Sequence, residues 1–137
     1  MNSAALQQAI YTRLTSVTAV ASKVTGIYTT IPQPDDAGEA ARFPYIFFDI
    51  PAGQPMDTKT SDGASMVVSV RTSSRSRSKL ERQAIEQAVY DALHKFDLVI
   101  AGANTIAVGW EGSTYYPDPD GVTTHGVQSF RVTYDDI

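Results

Sequence analysis

The chain has no cysteine, no long apolar run and no excess of positive charge. Without cysteine there can be no disulfide, no thiolate metal site and no cysteine nucleophile, so packing alone must stabilise the fold. No apolar run approaches the roughly 18 residues that a membrane helix needs, which predicts a protein that does not span a membrane. The net charge of -4 argues against nonspecific DNA binding, because such binding depends on a basic surface that displaces counterions from phosphates.

Signatures of catalysis and of nucleotide binding are also missing. No Gly-x-x-x-x-Gly-Lys or Gly-x-Gly-x-x-Gly pattern supports a nucleotide fold, and no Gly-x-Ser-x-Gly elbow surrounds any serine. The first residues, MNSAALQQAIYTRL, lack the basic start and continuous apolar block of a secretory signal, so nothing indicates export. We therefore expect no cofactor and a protein made in a reducing compartment.

The length and composition are those of one globular domain. A chain of 137 residues can bury well over half of its unfolded surface in a single core. Its hydrophobic fraction of 42% and charged fraction of 19% are ordinary for such a domain. We expect one core and a single domain that spans residues 1–137.

Apolar spacing predicts two helices. The first covers about residues 3–17, where apolar side chains recur every three or four positions. The second covers about residues 78–95 and begins at Ser78, which has the spacing to Glu81 of a capping box. The apolar residues expected to face the core are Leu6, Ile10, Leu14 and Val17 in the first helix, and Leu80, Ala84, Ile85, Ala88, Val89, Ala92, Leu93 and Phe96 in the second.

Strands are predicted where aromatic and β-branched residues alternate with polar residues or form short apolar runs. The predicted strands are GIYTTI from Gly26, FPYIFFDI from Phe43, MVVSVRT from Met66, the segment from Ile106 to Tyr116, and the segment from Gly126 to Tyr134. Pro51 is expected to end the second of them. Alternation places Met66, Val68, Val70, Phe130, Val132 and Tyr134 in the core. The order of elements predicts an α+β domain, with an antiparallel β-sheet of about four to five strands covered on one face by two α-helices.

Two segments with many turn-forming residues are predicted to be long loops. They run from Gln33 to Arg42 and from Ala52 to Ser65. Long loops in compact domains are usually functional or disordered, so binding to partners is the expected activity. The run SSRSRSKLER could contact phosphate through its arginines, but the acidic balance of the chain favours a solvated connection between a strand and a helix.

One segment near the carboxyl end carries residues that could do chemistry. Asp118 and Asp120 lie within a few positions of His125, but Asp120 precedes Gly121, and Asp-Gly is a strong signal for a turn between two strands. A metal or catalytic site needs at least three convergent groups with supporting contacts. We predict a turn, with a small hydrolase or metal-dependent enzyme as the alternative. The other histidine, His94, is expected to cap the end of the long helix.

Five segments along nearly the full length carry a resemblance to a known family. In order, they are ALQQAIYTRL, FPYIFFDI, DTKTSDGASMVVSV, AIEQAVYDAL and DPDGVTTHGVQSFRVTY. Together they resemble the tail terminator family of long-tailed bacteriophages, also called tail completion or head-to-tail joining proteins, which includes members from prophages and gene transfer agents. The family commonly has an aromatic residue and a serine after the third-strand valine, where this chain has Val70-Arg71-Thr72. Local packing or partner contact is therefore expected to differ there.

The resemblance implies a structural virion protein that catalyses no reaction and is made in the bacterial cytoplasm. It implies a homo-hexameric ring at the head-proximal end of the tail tube. The ring stops growth of the tail tube protein and docks to the connector or stopper protein of the head. Ring closure needs heterologous interfaces, in which one surface meets a different surface of the neighbour. DNA is expected to pass through the lumen of an acidic ring without specific binding.

The candidate interface or lumen residues come from one predicted loop and one basic segment. They are Met56, Asp57, Lys59 and Asp62 in the loop, and Arg71, Arg75 and Arg77 in the basic segment. A second assembly hypothesis is a connector or stopper protein on the head side. No catalytic, cofactor-binding or metal-binding residue is predicted.

Overall fold

The computed structural model describes residues 3–29, 43–57, 62–76, 78–119 and 121–136. Within these ranges it contains three helices and five strands. They are α1 (Ser3–Ser16), α2 (Thr18–Ala21), β1 (Gly26–Tyr28), β2 (Tyr45–Pro55), β3 (Gly63–Ser74), α3 (Lys79–Leu93), β4 (Ala103–Pro117) and β5 (Thr124–Asp136). No helix in these ranges is long and apolar enough to cross a membrane.

The five strands form one sheet in the order β1-β2-β3-β5-β4. The short strand β1 is parallel to β2, and the other neighbours are antiparallel. The apolar residues of α1 and α3 share one hydrophobic core with alternate residues of the sheet. The predicted α+β class is therefore confirmed; the predicted strand from Gly26 is short and pairs in parallel, and the four-residue helix α2 was not predicted.

Strand alternation gives the sheet two distinct faces. The buried pairs Met66 with Val132 and Val68 with Phe130 lie on the face that packs against the helices, as predicted. The residues between them, such as Ser69 and Ser129, point to the opposite side and are only half-buried. We call this opposite side the uncovered face, because the described helices pack on the other one.

The β2–β3 hairpin is longer than predicted, and the predicted end of β2 is wrong. A register shift between Asp49 and Ala52 places Pro51 in a bulge, where its missing N–H removes no ladder hydrogen bond. β2 therefore continues to Pro55, and β3 already begins at Gly63. Both ends of the predicted loop from Ala52 to Ser65 are therefore paired strand, and seven of its ten described residues belong to the sheet. The other predicted loop, from Gln33 to Arg42, lies outside the described residues.

Helix α3 begins where the sequence predicts, but its buried face is rotated. The Ser78 hydroxyl accepts a hydrogen bond from the backbone N–H of Leu80 at 3.2 Å. The capping box is not closed, because Glu81 Oε1 instead accepts a hydrogen bond from Ser74 at 2.7 Å. Leu80 is 72% exposed, and Arg82 is buried. The predicted core residue Ala84 is exposed as well, whereas the other predicted alanines of α3 are buried. The larger side chains Ile85, Val89 and Leu93 set the buried face, because each buries more apolar area than an alanine.

His94 follows the last residue of α3, but it does not cap helix carbonyls with its ring. Its Nδ1 accepts a hydrogen bond from the backbone N–H of Trp110 at 3.0 Å. The imidazole also stacks on Tyr90, with 4.7 Å between ring centroids. His94 therefore joins the end of α3 to β4, a contact between elements that helix periodicity does not reveal.

Candidate functional site

The structure places the predicted interface residues in two separate regions. The described ones are Met56, Asp57 and Asp62 beside the β2–β3 connection, and Arg71 and Arg75 toward the other end of β3; Lys59 and Arg77 lie outside the described residues. Twelve residues of β3 separate Asp62 from Arg75, which corresponds to about 40 Å of extended strand. One protomer therefore offers two surfaces and not one combined site.

The first surface, which we call the hairpin tip, consists of Met56, Asp57 and Asp62. The backbone N–H of Met56 donates to the Gly63 carbonyl at 2.9 Å, and the Gly63 N–H donates to Asp57 Oδ1 at 3.2 Å. These bonds hold the two strands together where they end. Met56 is 49% exposed, and Asp62 is exposed with no ion pair to any described residue. The tip therefore presents a flexible apolar side chain beside two carboxylates.

The second surface combines two arginines with three aromatic rings. It consists of Phe43, Tyr45, Phe47, Arg71 and Arg75, and we call it the arginine–aromatic surface. The Arg71 guanidinium lies 5.0 Å from the centre of the Phe47 ring, and that of Arg75 lies 4.6 Å from the Phe43 ring. Register pairs Phe47 with Arg71, so both project from the uncovered face. Contacts with ring faces orient both guanidinium groups, and Arg75 also donates from Nε to Thr123 Oγ1 at 3.1 Å.

Arg71 differs from the other arginine on the uncovered face in having no polar partner. Its Nε is buried and has no hydrogen-bond partner, and no described carboxylate forms an ion pair with it. Arg131, by contrast, donates from Nε to Glu111 at 3.0 Å and from Nη1 to Ser65 at 2.9 Å. The Arg71 side chain as a whole is only half-buried, so an anionic group from outside the described part of the chain can approach the terminal nitrogens of its guanidinium.

A serine, a histidine and an aspartate meet at the end of the sheet next to the β4–β5 turn. Ser73 Oγ lies 2.7 Å from His125 Nδ1, and His125 Nε2 lies 3.1 Å from Asp118 Oδ1. The sequence pattern did not reveal this contact, because Ser73 is 52 positions away from His125. β4 and β5 are antiparallel neighbours, and the Gly121 N–H donates to the Asp118 carbonyl at 3.1 Å, which confirms the predicted turn.

This trio does not have the arrangement of a hydrolase site. Ser73 is fully buried, so its hydroxyl cannot reach the carbonyl of an external substrate. Asp120, the third residue of the enzyme alternative, lies outside the described residues. Among the residues that are described, no group of three or more histidines and carboxylates could hold a metal ion. The trio instead ties the end of β3 to the β4–β5 turn.

Replacement of Ser73 by alanine tests this structural role. The Ser73→Ala variant leaves the buried His125 Nδ1 without its partner, and the free energy of unfolding is expected to fall by about 1–3 kcal/mol. The control is Ser129→Ala, a half-buried serine on the uncovered face, with an expected change within about 0.5 kcal/mol. Urea denaturation of both variants measures the difference. Equal stability of the two variants would contradict a structural role for the trio.

β4 adds a third feature that sequence reasoning missed. It is the last strand in the sheet order and pairs with β5 alone among the described strands. Its other edge is occupied near the end of α3, where the Lys95 N–H donates to the Val108 carbonyl at 2.8 Å and the Trp110 N–H donates to His94. Its exposed large side chains are Ile106, Trp110, Tyr115 and Tyr116. A strand edge that pairs with no described strand and carries exposed apolar side chains is suited to contact with another protein chain. Alternation was visible in the sequence, but the position of β4 at the edge depends on long-range pairing.

Comparison with known proteins identifies the class of molecule that carries these surfaces. The family described as "Tail completion protein gp17" matches residues 8–135. In the structure of bacteriophage SPP1 gp17 protein, a chain is 26% identical with a TM-score of 0.62; the match covers 96% of this chain and 89% of that one. A chain in the virion of a native gene transfer agent (GTA) particle shares the fold, with a TM-score of 0.83, 21% identity, and coverage of 95% and 94%. No curated protein matches the chain.

The family match and the fold agree with each other and with the sequence resemblance. The matched range includes the hairpin tip, the arginine–aromatic surface and β4. The expectation of a structural protein without enzymatic activity is confirmed by the family match. The chain belongs to the tail completion protein gp17 family, virion proteins with a structural role in phage tail assembly.

Proposed function

We propose that this protein is the tail terminator, a homo-hexameric ring that caps the head-proximal end of the tail tube. The ring stops polymerisation of the tail tube protein and provides the docking surface for the head connector. The observation that carries the proposal is the family match over residues 8–135, supported by a likeness to the SPP1 gp17 protein along most of both chains.

The surfaces of the protomer support assembly into a ring. A closed ring is built from heterologous contacts, so each protomer must offer two different surfaces to its two neighbours. The hairpin tip is acidic and the arginine–aromatic surface is basic, and they lie at different ends of the hairpin. The edge of β4, which pairs with no described strand and is bonded to His94 and Lys95 over a short stretch, is a further surface for the tube protein or the connector.

The charge of the chain supports passage of DNA through the ring without specific binding. With a net charge of -4 per protomer, a ring of such protomers has no overall excess of basic residues to displace counterions from phosphates. Retention of DNA in the lumen would oppose its ejection through the tail. An acidic protomer is therefore compatible with a channel through which DNA slides.

Electron microscopy of particles produced without this protein tests the proposed function. Overlong tails without heads are expected, because nothing would stop the tube or join it to the head. Production of the wild-type chain from a second gene copy is the control and should restore tail length and attachment. Tails of normal length that fail to attach would instead identify a connector or stopper protein on the head side. Normal tails attached to heads would contradict both assembly roles.

A further inference from the structure

We infer that the hairpin tip of one protomer docks on the arginine–aromatic surface of its neighbour, with Asp62 facing Arg71. The inference deepens the proposed ring by naming the two surfaces that meet between adjacent copies, and it rests on that proposal. The occupant of the arginine–aromatic surface is therefore a second copy of this chain.

The basic side of this contact lacks an anion. The half-buried Arg71 forms no ion pair with a described carboxylate, although its guanidinium lies over the Phe47 ring. An incoming carboxylate would accept hydrogen bonds from a group whose orientation is already restricted, which lowers the entropy lost on binding. Arg131 on the same face is already paired with Glu111, so the unsatisfied donor distinguishes Arg71.

The acidic side of the contact has the complementary chemistry. The Asp62 carboxylate is exposed and forms no ion pair with a described residue. Met56 beside it is half-exposed, and a methionine side chain packs well against aromatic rings. The arginine–aromatic surface offers both an unpaired cation and such rings. Charge and apolar contact are therefore matched across the two surfaces.

The two groups cannot meet within one chain. Asp62 directly precedes β3 and Arg71 lies on β3, so nine residues of extended strand hold them about 30 Å apart. A contact between them must join two copies. Because the two surfaces differ, the contact is heterologous, which is the kind that can propagate around a ring.

A cross-linking experiment tests the contact directly, since the chain has no cysteine of its own. A variant with Asp62→Cys and Arg71→Cys can form a disulfide only if the two Cα atoms approach to about 4.4–6.8 Å. Particles carrying this variant are oxidised and analysed on a denaturing gel without reductant. We expect a ladder of covalent multimers up to the size of the ring.

The matched control combines Asp62→Cys with Lys23→Cys. Lys23 is exposed in the turn after α2, on the helix side of the molecule, and should give no ladder. Absence of a ladder for the first variant, in particles with normal tails, would overturn the inference and leave the terminator function standing. If particles made without the protein have normal, attached tails but the Asp62→Cys and Arg71→Cys variant still gives a ladder, the contact stands and the terminator function is overturned.

If the cysteine variant does not assemble, exchange of the two charges tests the contact between Asp62 and Arg71. Arg71→Asp and Asp62→Arg are each expected to lower the number of attached tails about tenfold, the effect of about 1.4 kcal/mol. The double variant restores the ion pair in reverse and should recover the attached tails to within about twofold of the wild type. Failure of the double variant to recover would overturn the inference. A defect confined to Arg71→Asp would do the same and would point to a phosphate of nucleic acid as the anion.

Discussion

Replacement of Glu86 by alanine is expected to lower the free energy of unfolding by about 3–5 kcal/mol, because it leaves a buried charge unpaired. Glu86 Oε1 lies 2.5 Å from Arg82 Nη1, and the two side chains are only 16% and 6% exposed. The Tyr115 ring lies 4.4 Å from the Arg82 guanidinium, and Arg82 Nε has no hydrogen-bond partner. Without the carboxylate, a guanidinium that cannot lose its proton would remain in this site.

The double variant Arg82→Met with Glu86→Leu is the control for this prediction. Removal of both charges is expected to recover most of the lost stability, since a buried ion pair is often no more stabilising than apolar side chains of similar volume. Gly126 of β5 lies beneath the pair, and a Cβ there would overlap Glu86 Oε1. Urea denaturation at one fixed protein concentration measures both variants. A loss below about 1 kcal/mol for Glu86→Ala would contradict the unpaired-charge explanation.

Replacement of Phe48 by alanine is expected to lower the free energy of unfolding by about 3–5 kcal/mol, through lost burial and the cavity that remains. Phe48 is fully buried opposite Val70 in the core. Its neighbour Phe47 lies on the uncovered face opposite Arg71, and Phe47→Ala should cost about 1 kcal/mol. The two variants are matched, because they remove the same side chain from adjacent positions of one strand.

The midpoint of urea unfolding, compared at equal slope, measures this difference. Both variants must be compared at a concentration that keeps the oligomeric state the same, since association stabilises the folded protein by mass action. Similar losses for Phe47→Ala and Phe48→Ala would contradict the assignment of the two faces of β2. Phe47→Ala also removes the aromatic ring that lies against Arg71, so the same variant is expected to weaken the proposed contact between protomers.

The family and the fold class could be predicted from the sequence. The order and spacing of five segments pointed to tail completion proteins, and the match over residues 8–135 confirms it. Alternation correctly predicted the core residues of β3 and β5, such as Val68 and Phe130, but not their pairing. The interpretation of Pro51 as the end of a strand was wrong, because a bulge lets the ladder continue past a residue that cannot donate.

The burial and pairing of the side chains on these surfaces could not be predicted from the sequence. The apolar run in which Phe47 and Phe48 are adjacent does not show which ring faces the helices, since both parities of the strand are apolar. The burial of Arg82, the contact of Ser73 with His125 and the missing partner of Arg71 also stayed hidden.

By itself, the sequence determined the positions of the two long helices and the approximate positions of the five strands, that packing without disulfides must stabilise the core, and that a turn joins β4 to β5. These features depend on periodicity and on turn chemistry within a few residues, which are local properties of the backbone. Only the tertiary structure decided which charges are paired, which aromatic ring is buried and which strand lies at the edge of the sheet. Those features depend on strand register and on contacts between distant segments, and no local pattern encodes them.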